Sequence, residues 1–103
     1  MSHHLVQILL PLFDNQHEPL PGELHEQVKA KLTHEFGGVT AYVQAPAEGR
    51  WKDAGDETRD EMVMYEAVVD ELDPAWWAQY RIVLMSHFQQ KDIMVRALPI
   101  LRL

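Results

Sequence analysis

No cysteine occurs among the 103 residues. That absence excludes disulfides, thiolate metal centres, iron–sulfur clusters and cysteine nucleophiles. A chain without thiols suits the reducing cytoplasm, which is where we expect it. Basic charge is also scarce: nine Lys and Arg stand against sixteen Asp and Glu, giving a formal net charge of −7. Neutralising a nucleic-acid backbone takes clustered Lys and Arg, and so does docking on an anionic lipid surface. We therefore expect no nucleic acid and no membrane among the partners. No apolar run approaches the ~20 residues of a helical membrane span. The start M-S-H-H lacks the basic region and small-residue cleavage site of a secretory signal, and His3 and His4 receive no role.

Signature motifs are missing too. Neither G-x-G-x-x-G nor a Walker sequence is present, so no nucleotide cofactor is expected. No serine sits in G-x-S-x-G, which disfavours that type of hydrolase. There is no H-x-x-x-H pair and no H-E-x-x-H motif. His25 and His34 belong to opposite sides of any helix containing both. Asp53, Asp56, Glu57 and Asp60 do not follow the calcium-loop pattern. No metal site is expected.

What is present is an ordinary globular composition, 47% hydrophobic and 24% charged. A chain of this length makes one domain, residues 1–103, burying roughly two thirds of the surface its unfolded form exposes. Residues 5–12 (L-V-Q-I-L-L-P-L) read as a buried strand with Val6, Ile8 and Leu10 on one face and Leu5, Gln7 and Leu9 on the other. Pro19 to Gly22 lead into a helix that ends near Phe36. Its stripe is Leu20, Leu24, Val28, Leu32 and Phe36, and Gly37 and Gly38 supply left-handed positions to close it. Residues 39–45 alternate as a second strand. Residues 47–59 form a long irregular segment around Trp51, which either closes over a ligand or anchors the segment to its own domain.

Residues 60–73 (D-E-M-V-M-Y-E-A-V-V-D-E-L-D) hold the third strand, from about Glu61 to Val69. Val63, Tyr65 and Ala67 share one face, while Met62, Met64 and Glu66 share the other. Asp73-Pro74 is a helix start, N-cap followed by proline. Trp76, Trp77, Tyr80, Val83, Leu84, His87 and Phe88 fall on one broad helical face, with Ile82 and Met85 opposite. Residues 91–98 make a fourth strand, interrupted by Pro99. Ile100, Leu101 and Leu103 leave an apolar tail that needs somewhere to pack.

The order strand, helix, strand, strand, helix, strand, with right-handed crossovers, predicts a ferredoxin-like α+β fold. Strands one and three are central, and both helices cover one face of a four-stranded antiparallel sheet. The helix side takes Val6, Ile8 and Leu10; Val39, Ala41 and Val43; Val63, Tyr65 and Ala67; and Ile93, Val95 and Ala97. The other face mixes leucines and methionines with Gln7, Thr40, Tyr42, Gln44, Glu66 and Arg96. A sheet face left to water normally reads polar, and methionine suits adaptable contact surfaces. The expected partner is a second copy of the chain, as a two-fold homodimer.

This element order with a semi-polar second face resembles the dimeric α+β barrel proteins. Those include the antibiotic-biosynthesis-type monooxygenases, muconolactone-isomerase-like enzymes and stress-responsive barrel proteins. The segments F-G-G-V-T-A-Y-V, G-R-W-K and R-D-E-M-V-M-Y-E-A-V-V-D are similar to those of a group of small uncharacterised bacterial proteins, over residues 5–103. The barrel resemblance implies a cleft for a small apolar or aromatic molecule but no particular reaction, because such a fold hosts many. Residues converging on the second face are the candidates. Glu66 is the acid or base, Arg96 holds an anionic or carbonyl oxygen, and His87 is an alternative base. Gln7, Leu9, Tyr42, Trp51 and Met64 are the ligand contacts. Two readings stay open: a binding module, or a cofactor-independent oxygenase or isomerase. A structural ion pair between Glu66 and Arg96 is the plain alternative to either.

Overall fold

The computed structural model describes residues 3–44 and 61–103. Strand β1 (His3–Pro11) lies at the centre because its inward side chains, Val6, Ile8 and Leu10, are aliphatic and almost wholly buried, at 1%, 1% and 0% exposure. Strand β3 (Met62–Val69) runs antiparallel beside it, with Ile8 opposite Tyr65 and Val6 opposite Ala67. Strands β2 (Thr40–Gln44) and β4 (Val95–Ile100) flank this pair, giving the sheet order β2-β3-β1-β4, every pairing antiparallel. Helices α1 (Gly22–Phe36) and α2 (Pro74–His87) complete the order βαββαβ. This is the ferredoxin-like α+β fold, with the two central strands where the order of elements predicts them.

Each helix end has a local cause. Asp73 caps α2 by accepting from the N–H groups of Ala75 and Trp76 at 3.2 and 3.3 Å, and Pro74 takes a first-turn position where no N–H is needed. Gly37 closes α1 at φ 82°, donating its N–H to the Thr33 carbonyl. Only one of the two glycines takes the left-handed conformation; Gly38 does not.

Val28 and Leu32 of α1, Trp77, Tyr80 and Leu84 of α2, and Phe88 just past its end close over the inner sheet face. Phe36, Trp76, Trp77 and Tyr80 form a contiguous aromatic cluster, with Phe36 stacked on Trp77 at 5.1 Å. The helices cover the central strands and leave the edges open. Val43, expected on the covered side, is 72% exposed, and Ala41 and Ala97 are exposed as well. On α2, Val83 and His87 are exposed rather than buried with their neighbours, while Met85 packs against the core instead of facing away. The buried stripe is narrower than a 100° plot suggests and is centred on Trp77, Leu84 and Phe88. Ile82 is exposed as expected, at 58%.

Strand β4 begins at Val95 rather than Lys91 and runs through Pro99. Ile93 is buried ahead of the strand, where Arg81 binds both its carbonyl, at 3.0 Å, and the Asp92 carboxylate. An edge strand tolerates proline because its outer side pairs with nothing. Strand β1 starts earlier than residue 5 and includes His3 and His4; His3 lies 3.1 Å from Asp70. The tail does not pack: Leu101 is 87% exposed, and Leu103 fully so. Trp51 and the acidic residues from Asp53 to Asp60 lie outside the described residues.

Candidate functional site

Period-two alternation sends Leu5, Gln7 and Leu9 to the face opposite the helices. The antiparallel register then sorts that face into rows. Glu66 on β3, Gln7 on β1 and Arg96 on β4 stand side by side, with Thr40 beyond Glu66 on β2. One neighbouring row holds Tyr42, Met64 and Leu9, and the Leu9 N–H reaches the Met94 carbonyl at 3.1 Å. The row on the other side is Val68, Leu5 and Leu98. A polar line thus crosses the sheet between two apolar ones.

Hydrogen bonds join the polar line. Gln7 Nε2 donates to Glu66 Oε2 at 2.6 Å, and Arg96 Nε donates to Gln7 Oε1 at 2.7 Å. The amide of Gln7 is oriented by these partners, since a carboxylate only accepts and a guanidinium only donates. Its N–H faces Glu66 and its oxygen faces Arg96. Glu66 and Gln7 are half-buried, and Arg96 is exposed. The row has a fixed polarity: acid at one end, amide in the middle, guanidinium at the other. The second carboxylate oxygen of Glu66 and the remaining N–H groups of Arg96 are the groups able to bind an incoming polar atom.

Glu66, Arg96 and Gln7 therefore meet as the sequence predicts. Leu9, Met64 and Tyr42 lie beside them, with Met64 8% and Tyr42 50% exposed. His87 does not join them. It sits in the last turn of α2 and lines a groove of about 300 Å³ between the helices, with Leu24, Val28 and Tyr80, on the far side of the sheet from Glu66. Trp51 lies outside the described residues.

A groove of about 700 Å³ reaches Glu66 from the sheet edge. It arises because β2 pairs no further than Thr40, opposite Glu66, whereas β3 continues to Val69. Glu35, Asp70, Glu71 and Arg102 contribute to its walls. Gln7, Leu9, Tyr42 and Met64 do not, so of the second face this groove takes in only the corner at Thr40, Glu66 and Val68. Among the described residues, no group of three or more His, Asp or Glu is arranged to hold a metal ion.

One polar pair escaped sequence reasoning. His25, on the buried side of α1 with Val28 and Leu32, has Nδ1 2.6 Å from the Tyr65 hydroxyl and Nε2 3.0 Å from the Pro11 carbonyl. A carbonyl only accepts, so Nε2 carries the hydrogen, and Tyr65 donates to Nδ1 of the neutral ring. Burial lowers the His25 pKa from 6.5, against an opposing contribution from the Pro11 hydrogen bond. Burial also pushes the Tyr65 hydroxyl up to about 12. Phe88 closes the ring edge-on at 5.1 Å. The signal was available: His25, Val28 and Leu32 share a helical face, and the buried hydroxyl of Tyr65 requires a partner.

The fold places the chain in the ferredoxin-like class, and it carries no helix among the described residues long and apolar enough to cross a membrane. Comparison with protein-family models finds no match, and comparison with curated proteins finds no relative.

Proposed function

We propose that the protein is a homodimeric binding module, its second sheet face covered by another copy, with a cleft there for a small apolar or aromatic molecule beside Glu66. The observation that carries this reading is the polar row set between apolar rows on a face that neither described helix covers. Tyr42, Val68, Met94 and Leu98 stay 50%, 39%, 39% and 40% exposed there. Scattered exposed apolar residues are common, but four on one sheet face, on both sides of the polar row, support reading it as a contact surface. The arrangement favours binding over catalysis. Glu66 and Arg96 each spend a polar atom on Gln7, and His87 lies across the sheet from both. The same reading has the protein work in the cytoplasm.

Light scattering at micromolar concentration tests the assembly, with a two-chain mass expected. Thermal-shift titration with a panel of small aromatic compounds tests the cleft. Ligand-induced stabilisation is expected in the wild type, because apolar contacts carry the affinity. A compound turned over by the wild type and merely bound by Glu66→Gln would replace this reading with a cofactor-independent oxygenase or isomerase.

A further inference from the structure

The polarity of the Glu66–Gln7–Arg96 row specifies how two copies meet. We propose that they pack face to face about a two-fold axis running along β1 near Gln7, so that Glu66 of each protomer opposes the partner's Arg96. This rests on the homodimer reading and adds its register and the residue that the second copy contributes to the Glu66 site.

Two sheets packed face to face with aligned strands and two-fold symmetry have their axis in the interface plane. The axis runs either along the strands or across them. Strands are spaced about 4.8 Å apart, so Glu66 and Arg96 lie roughly 10 Å from each other on either side of Gln7. An axis across the strands maps each end of the row onto itself. It sets carboxylate against carboxylate and guanidinium against guanidinium, which costs energy in a desolvated interface. An axis along β1 exchanges the two ends. Acid then meets guanidinium twice, once on each side of the axis.

The same operation brings the apolar rows into agreement. Leu9 and Leu5, on the central strand, each oppose their own copies. Val68 on β3 opposes the partner's Leu98 on β4, and Met64 opposes the partner's Met94. Aligned sheets cross at about 30°, which tilts the axis only ~15° from β1 and moves the charges by a few ångströms. Side chains as long as Glu and Arg span that offset.

Among the described residues of one chain, Glu66 and Arg96 each make one side-chain hydrogen bond, both to Gln7. A second copy in this register completes them.

Sedimentation equilibrium of four chains, all checked for native circular dichroism, tests the register: wild type, Glu66→Gln, Glu66→Arg, and the exchange Glu66→Arg with Arg96→Glu. Removing the charge in Glu66→Gln, which keeps the side chain's shape, strands Arg96 on both sides of the axis and is expected to weaken the dimer about thirtyfold or more. Reversal in Glu66→Arg sets like charges together and is expected to weaken it further still. The exchange is expected to recover most of that loss, with the Gln7 amide turned end for end. A Glu66→Gln dimer as tight as wild type or tighter overturns the register while leaving the dimer standing. So does an exchange no tighter than Glu66→Arg alone. A wild-type chain that stays single at all concentrations overturns both.

Discussion

Replacing Tyr65 by Phe removes one oxygen and leaves the ring. The packing of Tyr65, 1% exposed and with its ring centroid 5.8 Å from His25, is retained, so no cavity opens. What is lost is the donor to His25 Nδ1, which becomes a buried acceptor without a partner. An orphaned buried polar atom costs about 1–3 kcal/mol. For a domain of this size that is a fall in melting temperature of roughly 5–20 °C. Urea titration at neutral pH, followed by the fluorescence of the buried tryptophans, should show a lower midpoint with an unchanged slope.

The pH response gives a second reading of the same contact. Burial holds the His25 pKa below 6.5, so the unfolded chain takes up a proton at a pH where the folded one does not. Stability therefore rises with pH across this window. It is complete above 6.5 and is lost as pH falls from 6.5 towards the lower folded value, by at most about 1.4 kcal/mol per pH unit. The Tyr65 hydroxyl favours the neutral ring by donating to Nδ1, so Tyr65→Phe should flatten this acid-side slope. A variant within about 0.5 kcal/mol of wild type, with the same slope below 6.5, would refute the assigned tautomer and the role of the pair.

Two further outcomes test the local readings. Asp73→Ala removes the acceptor for two N–H groups at the start of α2; a loss of about 1 kcal/mol is expected by chemical denaturation. Gly37→Ala and Gly38→Ala form a contrasting pair, since an added Cβ meets nothing within 4 Å at either position. Gly37, at φ 82°, should cost roughly 1 kcal/mol through backbone strain alone. Gly38 has no such constraint and should be neutral or slightly stabilising, as read by calorimetric melting.

The central strands were legible because their inward residues obey a strict period of two with aliphatic side chains, and register follows once β1 and β3 are paired. The convergence of Glu66, Gln7 and Arg96 came from the same arithmetic, each residue falling on the outer face of its strand. The edges were less legible. Alternation reports which side of a sheet a residue takes, but not whether a helix reaches that far, so Val43 and Ala97 read as core and are exposed. Val83 and His87 failed for a related reason. A helical plot gives direction, whereas burial depends on how closely the neighbouring helix approaches. The start of β4 was hidden because Arg81 holds the segment around Asp92 and Ile93, a contact between a helix and a loop that no local pattern records. His25 was missed because a histidine followed by Glu26 and Gln27 looks like surface until the hydroxyl it serves is placed beneath it.

The charged row also constrains what can cover the second face. An apolar partner laid over it would strip water from Glu66 and Arg96 while offering neither an opposite charge. Among the described residues, the bonds to Gln7 satisfy one polar atom on each. Stranding a desolvated charge costs several kcal/mol, more than the flanking leucines and methionines would return in that small area. A partner must therefore present guanidinium over Glu66 and carboxylate over Arg96, about 10 Å apart with apolar rows on both sides. The face itself, turned over about β1, has that pattern. The charges that make it a poor site for indiscriminate apolar contact are those that the proposed second copy would pair.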